Sequence, residues 1–431
     1  MHRSSFRAGM YLLENLTSGM YNDPLSIYRE YIQNSVDSFD LSSNNNGHYA
    51  VNIDLDPFDR SIRIFDNGLG VSAKKAEEVL SSIGESNKRG LHLRGFRGIG
   101  RLGGIAFCDK AIFRTKAEGE STESIQEWDC YRLKKALNLS NKPRTFKQIL
   151  KNITKFYQRN SQSKEGSYFE VILYDVKSFK NYIFDIERVR NYLSQVAPVP
   201  FDNNFIFGRK IDRYLKENLS HYGKYSIVLN GEHIYKPYRS KIRTTKNKGG
   251  GFDHIDDVEL IAVDVGYKSP IAYGWYGKRR DLLGSISKGE SCSGIRVRAG
   301  NILIGGPHLL DKCFREDRFN SYTVGEIHID SAELVPNSRR DDFIDNESKA
   351  LFYDAIERQI GLPISKEIRL RSRINSDSRK SDTKGKCAAS THYAIKNVPK
   401  GNSIGIIAEI ENICRNCNNV ELIVSKLNKC L

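Results

Sequence analysis

The sequence predicts an α/β protein made of two successive α/β units followed by a short helical tail. Three observations carry this. The first 175 or so residues alternate helical and strand patterns. From about residue 223 the chain turns strand-rich. Residues 374–388 are almost wholly polar and read as a linker before a last segment at about 402–430.

The elements follow in order. Leu25, Tyr28, Ile32, Ser35, Val36 and Phe39 fall on one face of a helix over 25–40. Ser42 to Gly47 is turn-rich. Val51, Ile53 and Leu55 alternate with polar residues as in a strand, and Ser61–Phe65 is a second strand. A turn around Pro57–Asp59 joins them as a hairpin. Residues 84–104 are glycine-rich, 111–115 and 168–174 read as strands, and the weakly patterned residues 117–165 read as an insertion. Residues 180–222 read as helical. Tyr225–Leu229 runs into Asn230-Gly231, a strong hairpin turn. Strands are predicted at Leu260–Val265, Ile271–Tyr276, Gly294–Arg298 and Val324–Ile329, and a helix over 346–372. The implied division is 1–178 with the insertion at about 117–165, a helical connector 179–222, a second unit 223–345, and a tail 346–431.

Composition bounds the function. The chain has 431 residues, 39% hydrophobic and 28% charged, an ordinary globular balance. That length exceeds what one core fills, about 250–300 residues. No apolar run reaches the ~18 residues that a bilayer span needs. Met1–Ser5 opens no apolar signal stretch, so a cytoplasmic location is expected. The eight cysteines are scattered and form no compact disulfide framework. Cys414-Arg-Asn-Cys417 with Cys387 and Cys430 admits a zinc site, against the plainer reading of reduced thiols. The net charge is +15. It admits DNA or RNA as a partner through the basic loop 236–248 (Lys236, Arg239, Lys241, Arg243, Lys246, Lys248, beside Tyr235 and Tyr238) and the stretch 369–380 (Arg369, Arg371, Arg373, Arg379, Lys380). Such clusters are otherwise solvated loops.

Four short segments carry the chemistry. Glu30, Asn34 and Asp37 stand at i, i+4 and i+7, one helix face. The Asn34 amide oxygen is a hard ligand of the kind Mg2+ takes, and the Glu30 carboxylate can order or deprotonate a water. Asp66-Asn67-Gly68-Leu69-Gly70 ends a strand, with an acceptor and two glycines that allow close backbone approach. Gly95, Gly98 and Gly100 lie in a glycine-rich stretch that can present N–H groups to phosphates. Its spacing differs from both common phosphate loops. Gly166-Ser167 leads into the strand 168–174. Each segment alone also reads as a turn or a solvated face.

In this order and spacing the four resemble the motifs of the Bergerat-fold (GHKL) ATPases: Glu…Asn on a helix, Asp-x-Gly-x-Gly, Gly-x-x-Gly-x-Gly and Gly-Thr, with Ser167 for the threonine. Arg29-Glu30-Tyr31-Ile32-Gln33-Asn34-Ser35-Val36-Asp37-Ser38 is similar to the heat-shock protein 90 signature Arg-Glu-Leu-Ile-x-Asn-x-x-Asp-Ala. Gly325 to Asp341 resembles that family's middle-domain segment ending in Asn-x-Ser-Arg-Glu.

The resemblance implies a Bergerat α/β sandwich, then a ribosomal-S5-like transducer unit and a short helical tail. It implies ATP and Mg2+ as ligands. Asn34 would hold the metal. Asn34, Asp37, Asp66, Gly68, Gly70, Gly95, Gly98, Gly100 and Ser167 would hold the nucleotide. Glu30 would be the catalytic base, and Arg339 or Arg340 would reach the γ-phosphate when the units dock. The expected output is a slow, ATP-driven conformational switch acting on a protein partner, with a homodimer formed on ATP binding. A nucleic-acid clamp like the microrchidia and MutL ATPases, or a nucleotide-sensing scaffold, are the alternatives. Only about 85 residues follow 345, so the chaperone's long dimerisation domain has no counterpart in the sequence given.

Overall fold

The computed structural model describes residues 23–42, 48–84, 100–138, 146–161, 164–245 and 250–376. The first helix, α1, is Ser26–Asp40. A turn over Asp23–Ser26 leads into it, the Asp23 carboxylate accepting from Leu25 N at 3.0 Å. All six residues predicted to share its apolar face are buried.

The first sheet takes β1 (Ala50–Asp56) and β2 (Ser61–Asp66) as an antiparallel hairpin with Ile53 opposite Ile64. A helix α2 (Ala73–Ser81) follows. Then come β3 (Lys110–Lys116), β4 (Thr122–Asp129), α3 (Cys130–Asn138), α4 (Phe146–Ile153), β5 (Thr154–Asn160) and β6 (Tyr168–Tyr174). Helices α5 (Lys180–Ile183), α6 (Ile186–Val196) and α7 (Gly208–Asn218) form the connector. Next are β7 (Ser226–Leu229) and β8 (Glu232–His233). The eight strands lie in the order β5-β4-β3-β6-β2-β1-β7-β8. One core is built from Ile32, Val36, Ile53, Ile64, Phe113, Leu173 and Leu193 together with the rest of this layer.

Two expectations change here. Residues 117–165 are no mere insertion, because β4 and β5 extend the sheet by antiparallel pairing to β3 and to each other. The strand character of β4 is masked in sequence by buried polar residues: Glu123, Ser124 and Gln126 are at most 3% exposed. Glu123 is satisfied by Arg114, Arg159 and the Tyr168 hydroxyl. The strand at Ser226–Leu229, expected to open the second unit, pairs in parallel with β1 instead. Ile227 and Leu229 face the first core, which fixes its allegiance. Its turn is as expected, with Asn230 and Gly231 both at positive φ.

The second sheet contains β9 (Lys241–Thr244), β10 (Gly251–Val263), β11 (Ala272–Arg279), β12 (Gly294–Ala299), β13 (Ile302–Ile304) and β14 (Val324–Ile329). Their order is β13-β12-β14-β11-β10-β9, with β12 and β14 parallel. Helix α8 (Glu347–Ile356), capped by the Asn346 side chain, runs through a π-helical stretch Glu357–Gly361 and stays helical to residue 376. Gly361 is required there, since a Cβ would meet the Cys313 carbonyl oxygen at 1.9 Å. The connector does not float: Phe201, Phe205, Ile211 and Leu215 pack with Tyr238 and Trp275 of the second unit.

The molecule is thus a mixed α/β protein of two sheets, as expected for an ATPase domain followed by a transducer unit. Among the described residues no helix is long and apolar enough to cross a membrane.

Candidate nucleotide site

Helix α1 brings Glu30 and Asn34 to one edge of the first unit. Both are part-buried, whereas Asp37, one turn on, is completely buried. Arg29 Nη2 donates to Glu30 Oε1 at 3.3 Å and to the Arg339 carbonyl at the same distance. Gly100 lies over the Glu30 side chain, where a Cβ would meet Oε2 at 2.6 Å. A larger residue at this position would push the Glu30 carboxylate aside. Tyr31 of α1 secures the same segment, its hydroxyl accepting from Gly104 N at 3.1 Å. The Tyr192 hydroxyl of α6 lies within the field of Arg29, Asp23 and Glu30, and burial raises its pKa.

Asp66 ends β2 and is 3% exposed. Its Oδ2 accepts from Ser35 Oγ of α1 at 2.7 Å and its Oδ1 from Gly68 N at 3.0 Å. The carboxylate is therefore tied to α1 and to the loop that follows it. Leu69 N donates to Ser38 Oγ, and Val71 N to Thr115 Oγ1. Ser167 Oγ donates to the Gly68 carbonyl at 2.6 Å, so this hydroxyl holds the loop in place. Gly70 has φ +61° and passes so near β3 that a Cβ would stand 2.0 Å from the Lys116 carbonyl oxygen. Gly68 is packed against Ser38, Asp66 and Phe39. A short-side-chain cradle results, with a carboxylate at one end and Glu30 and Asn34 at the other.

The second unit reaches this edge through the turn Asn337–Asp341. Asn337 Nδ2 donates to Asp341 Oδ1 at 2.6 Å, and Arg340 N to the Asn337 carbonyl. Arg340 has φ +57° and is buried. Arg339 is exposed, and its carbonyl is the one that Arg29 holds.

The structure thus sets Gly100 and the main chain of Arg339 beside Glu30 and Arg29, ties Asp66, the loop with Gly68 and Gly70, and Ser167 to the same helix through Ser35 and Ser38, and leaves Asn34 on that helix between the two groups. Gly95 and Gly98 lie outside the described residues. Arg29, Ser35, Ser38 and Thr115 were not singled out by sequence. Ser35 and Ser38 sit within the α1 signature itself, but Thr115 gives no local signal.

The basic loop needs a correction. Lys236 and Tyr238 do not face solvent. Lys236 Nζ is fully buried against Glu326 at 2.8 Å, and the Tyr238 hydroxyl donates to the same carboxylate at 3.0 Å. Arg239, Lys241 and Arg243 remain exposed, and Lys246 and Lys248 lie outside the described residues. In the other stretch, Arg369 pairs with Glu316 and Arg371 with Glu367, Arg373 is exposed, and Arg379 and Lys380 lie outside. So do Cys387, Cys414, Cys417 and Cys430. Among the described residues no cluster of metal-ligating side chains occurs, and Cys108, Cys130, Cys292 and Cys313 are buried free thiols.

A helix bearing Glu and Asn over a carboxylate-glycine loop, on a mixed sheet, defines the nucleotide-binding class with the Bergerat fold. Residues 25–159 match the family described as histidine kinase-, DNA gyrase B-, and HSP90-like ATPase. Over that segment the first unit is similar to the Bergerat-fold domains of HSP90-like ATPases. The match spans Glu30, Asn34, Asp37, Asp66 and Gly100 and stops before Ser167 and the second unit. The chain is 28% identical over 150 residues to the chaperone protein HtpG of Halalkalibacterium halodurans, covering 30% of this chain and 24% of that one. It is 28% identical over 140 residues to HtpG of Coxiella burnetii, covering 27% and 22%. With HtpG of Enterobacter sp. it shares 25% over 142 residues, covering 28% and 23%. The chain thus spans about a quarter of the length of these curated relatives.

Proposed function

We propose that this protein binds and hydrolyses ATP and uses the cycle to change how its two units dock. The observation that carries this is Arg29. One guanidinium touches both the Glu30 carboxylate and the main chain of the second unit's Asn337–Asp341 turn. Anything that moves that turn moves the group beside the proposed base.

The residues suit the ligand. Gly68, Gly70 and Gly100 each occupy a place that a Cβ would fill, and Asp66 is a buried acceptor held from two sides. Asp66 accepts a hydrogen bond from an exocyclic amine and fixes the orientation of a flat ring. Ser167 and Ser38 keep the loop in shape for that contact. Asn34 offers a neutral amide oxygen as a Mg2+ ligand. The metal, when bound, neutralises phosphate charge. Asp37, fully buried on the same helix, positions α1 from within. Glu30 takes the proton of a water or orients it, an action worth roughly 10²–10⁴-fold. Arg29 holds the Glu30 carboxylate in position.

Of the two candidate arginines, Arg339 is assigned to the phosphates. It is exposed at the junction, whereas Arg340 is buried and its carbonyl accepts from Gly305 N at 2.7 Å. A charge that arrives only on docking couples geometry to chemistry. Turnover is slow in this reading, because docking limits the cycle.

The output is directed at a protein partner, and the same reading carries a cytoplasmic location and an ATP-dependent homodimer. The HtpG relatives, named as chaperone proteins, support it. A nucleic-acid clamp is the second reading. It is supported by the +15 charge and by exposed Arg239, Lys241 and Arg243, with Lys241 over the exposed Phe252 ring at 4.4 Å.

The test is steady-state ATPase and nucleotide binding by calorimetry. Glu30→Ala is expected to bind ATP with hydrolysis down at least a hundredfold. Asp66→Asn is expected to lose binding. Arg339→Ala is expected to lower kcat more than KM changes. Unchanged turnover in Glu30→Ala sinks the proposal, and stimulation by duplex DNA moves the output to the second reading.

A further inference from the structure

A cleft in the second unit lies between the loop at Leu282–Gly284, the 3-10 turn Asp317–Tyr322 and the last turns of the long C-terminal helix, and shares no lining residue with the nucleotide site. Its volume is about 310 Å³. Leu282, Phe319 and Ile368 line it and are all nearly buried, giving it an apolar base. Its rim is cationic. Arg318, Arg369 and Arg373 stand against the single carboxylate of Glu316, a formal balance of three positive charges to one negative. Glu316 already accepts from Arg318 at 2.8 Å and from Arg369 at 3.0 Å. Both guanidiniums also lie beside the Phe319 ring, at 5.6 and 6.0 Å from its centroid. The site thus offers an apolar pocket and an unmatched charge of +2. A phosphate backbone would meet the rim and leave the pocket empty. An apolar segment with two carboxylates meets both.

The sequence contains one such segment. Residues 404–413 read Ile-Gly-Ile-Ile-Ala-Glu-Ile-Glu-Asn-Ile, with Glu409 and Glu411 the only charges between Lys400 and Arg415. The rest of 377–431 is mostly basic or neutral. Position also favours it. The described helix ends at residue 376, and Ser372 and Arg373 on its final turns line the cleft. Residues 377–403 supply the path back. A tethered segment acts at a high effective concentration, on the order of millimolar for short connections, so a weak contact suffices.

We propose that residues 404–413 of the same chain seat in this cleft, with isoleucines on Leu282, Phe319 and Ile368 and with Glu409 and Glu411 facing Arg318, Arg369 and Arg373. The proposal is independent of the nucleotide reading, and no step of it requires ATP.

Hydrogen–deuterium exchange on the full chain tests it. Backbone amides of 316–322, 366–373 and 404–413 are expected to be protected together. The double substitution Glu409→Lys/Glu411→Lys should speed exchange in all three about tenfold. Arg318→Glu/Arg373→Glu should do the same, and the four changes combined should restore protection by exchanging the charges. A labelled synthetic peptide of residues 404–413 should bind the Glu409→Lys/Glu411→Lys chain at least fivefold more tightly than the wild type, whose cleft is filled. Equal peptide binding, or exchange at 316–322 untouched by Glu409→Lys/Glu411→Lys, overturns the proposal. Protection that rises with protein concentration overturns it in favour of a second copy's segment. Protection by a duplex DNA oligomer but not by the peptide overturns it in favour of nucleic acid.

Discussion

Two polar clusters in this molecule look alike in composition and differ in purpose. One is the cradle on α1, with Glu30, Asn34 and Asp66. The other surrounds Glu326 on β14. Glu326 is completely buried and accepts from Lys236, Tyr238 and Arg298, with His328 Nε2 at 3.1 Å. Its neighbours reach across the junction between the units. Arg298 Nη2 donates to the Gln195 carbonyl at the end of α6, Arg296 Nη2 to the Gln195 side chain, and Asn301 Nδ2 to the Gly223 carbonyl. Two cations at a helix C-terminus also meet the negative end of its dipole. In the α1 cluster Glu30 and Asn34 are part-exposed, while Asp66 is buried with one neutral donor on each oxygen and keeps acceptor capacity. The Glu326 cluster is closed to water, and its carboxylate is surrounded by donors. Open capacity suits a ligand, whereas saturation suits a joint. Charge and burial alone do not mark a functional site.

The largest test of that contrast is Glu326→Gln. It leaves Lys236 and Arg298 buried without their counter-charge, and a loss of about 3–5 kcal/mol in unfolding free energy is expected by denaturant titration. Asp66→Asn, by contrast, should abolish nucleotide binding at a much smaller cost in stability. A reversal of these two results would mean that the roles are assigned to the wrong clusters.

Gly70→Ala comes next. At φ +61° and 2.0 Å from a carbonyl oxygen, the new Cβ forces the loop aside. A loss of about 2 kcal/mol is expected, with weaker nucleotide binding. Thermal unfolding with and without nucleotide checks both effects.

The pH dependence is smaller but has a defined sign. Burial pushes His328 from 6.5 down to about 4, although Glu326 beside it favours the charged form. The unfolded chain therefore takes up this proton first on acidification. The stability it contributes is full above about pH 6.5 and is lost as pH falls toward about 4. Glu326, whose pKa is held low mainly by Arg298 and Lys236 against the cost of burial, loses stability in the same direction below the usual carboxylate range. His328→Gln should flatten the stability profile between pH 6.5 and 4. An unchanged slope would show that other groups carry it.

The smallest effect is expected at Gln33. Its amide on α1 is 1% exposed, and neither polar atom has a partner among the described residues. Gln33→Met keeps the shape and removes the unsatisfied groups, so a gain of up to about 1 kcal/mol is expected with ATPase unchanged. A loss of activity instead would draw Gln33 into the nucleotide cradle.

Much of the first unit was legible because its signals are local. The α1 face, the β1–β2 hairpin and the Asn230-Gly231 turn each follow from residues within one element. The strand β4 was not legible, because its inward polar Glu123 is satisfied by partners from other strands, Arg114 and Tyr168, and β5, with no buried residue, carries no apolar alternation to read. The loop 236–248 misled for the same reason: nothing near Lys236 in sequence announces Glu326, 90 residues away.

The sequence by itself pointed to the kind of site, because its four short motifs, from Glu30 and Asn34 through Asp66-Asn67-Gly68-Leu69-Gly70 and Gly95, Gly98 and Gly100 to Gly166-Ser167, resemble in order and spacing those of one ATPase family. Tertiary structure alone decided which unit owns β7, that Lys236 serves a joint and not a partner, and that the Asn337–Asp341 turn meets Arg29 beside Glu30. These are contacts between residues far apart along the chain. Their energies depend on burial and on the geometry of the partner, and neither is encoded in local pattern.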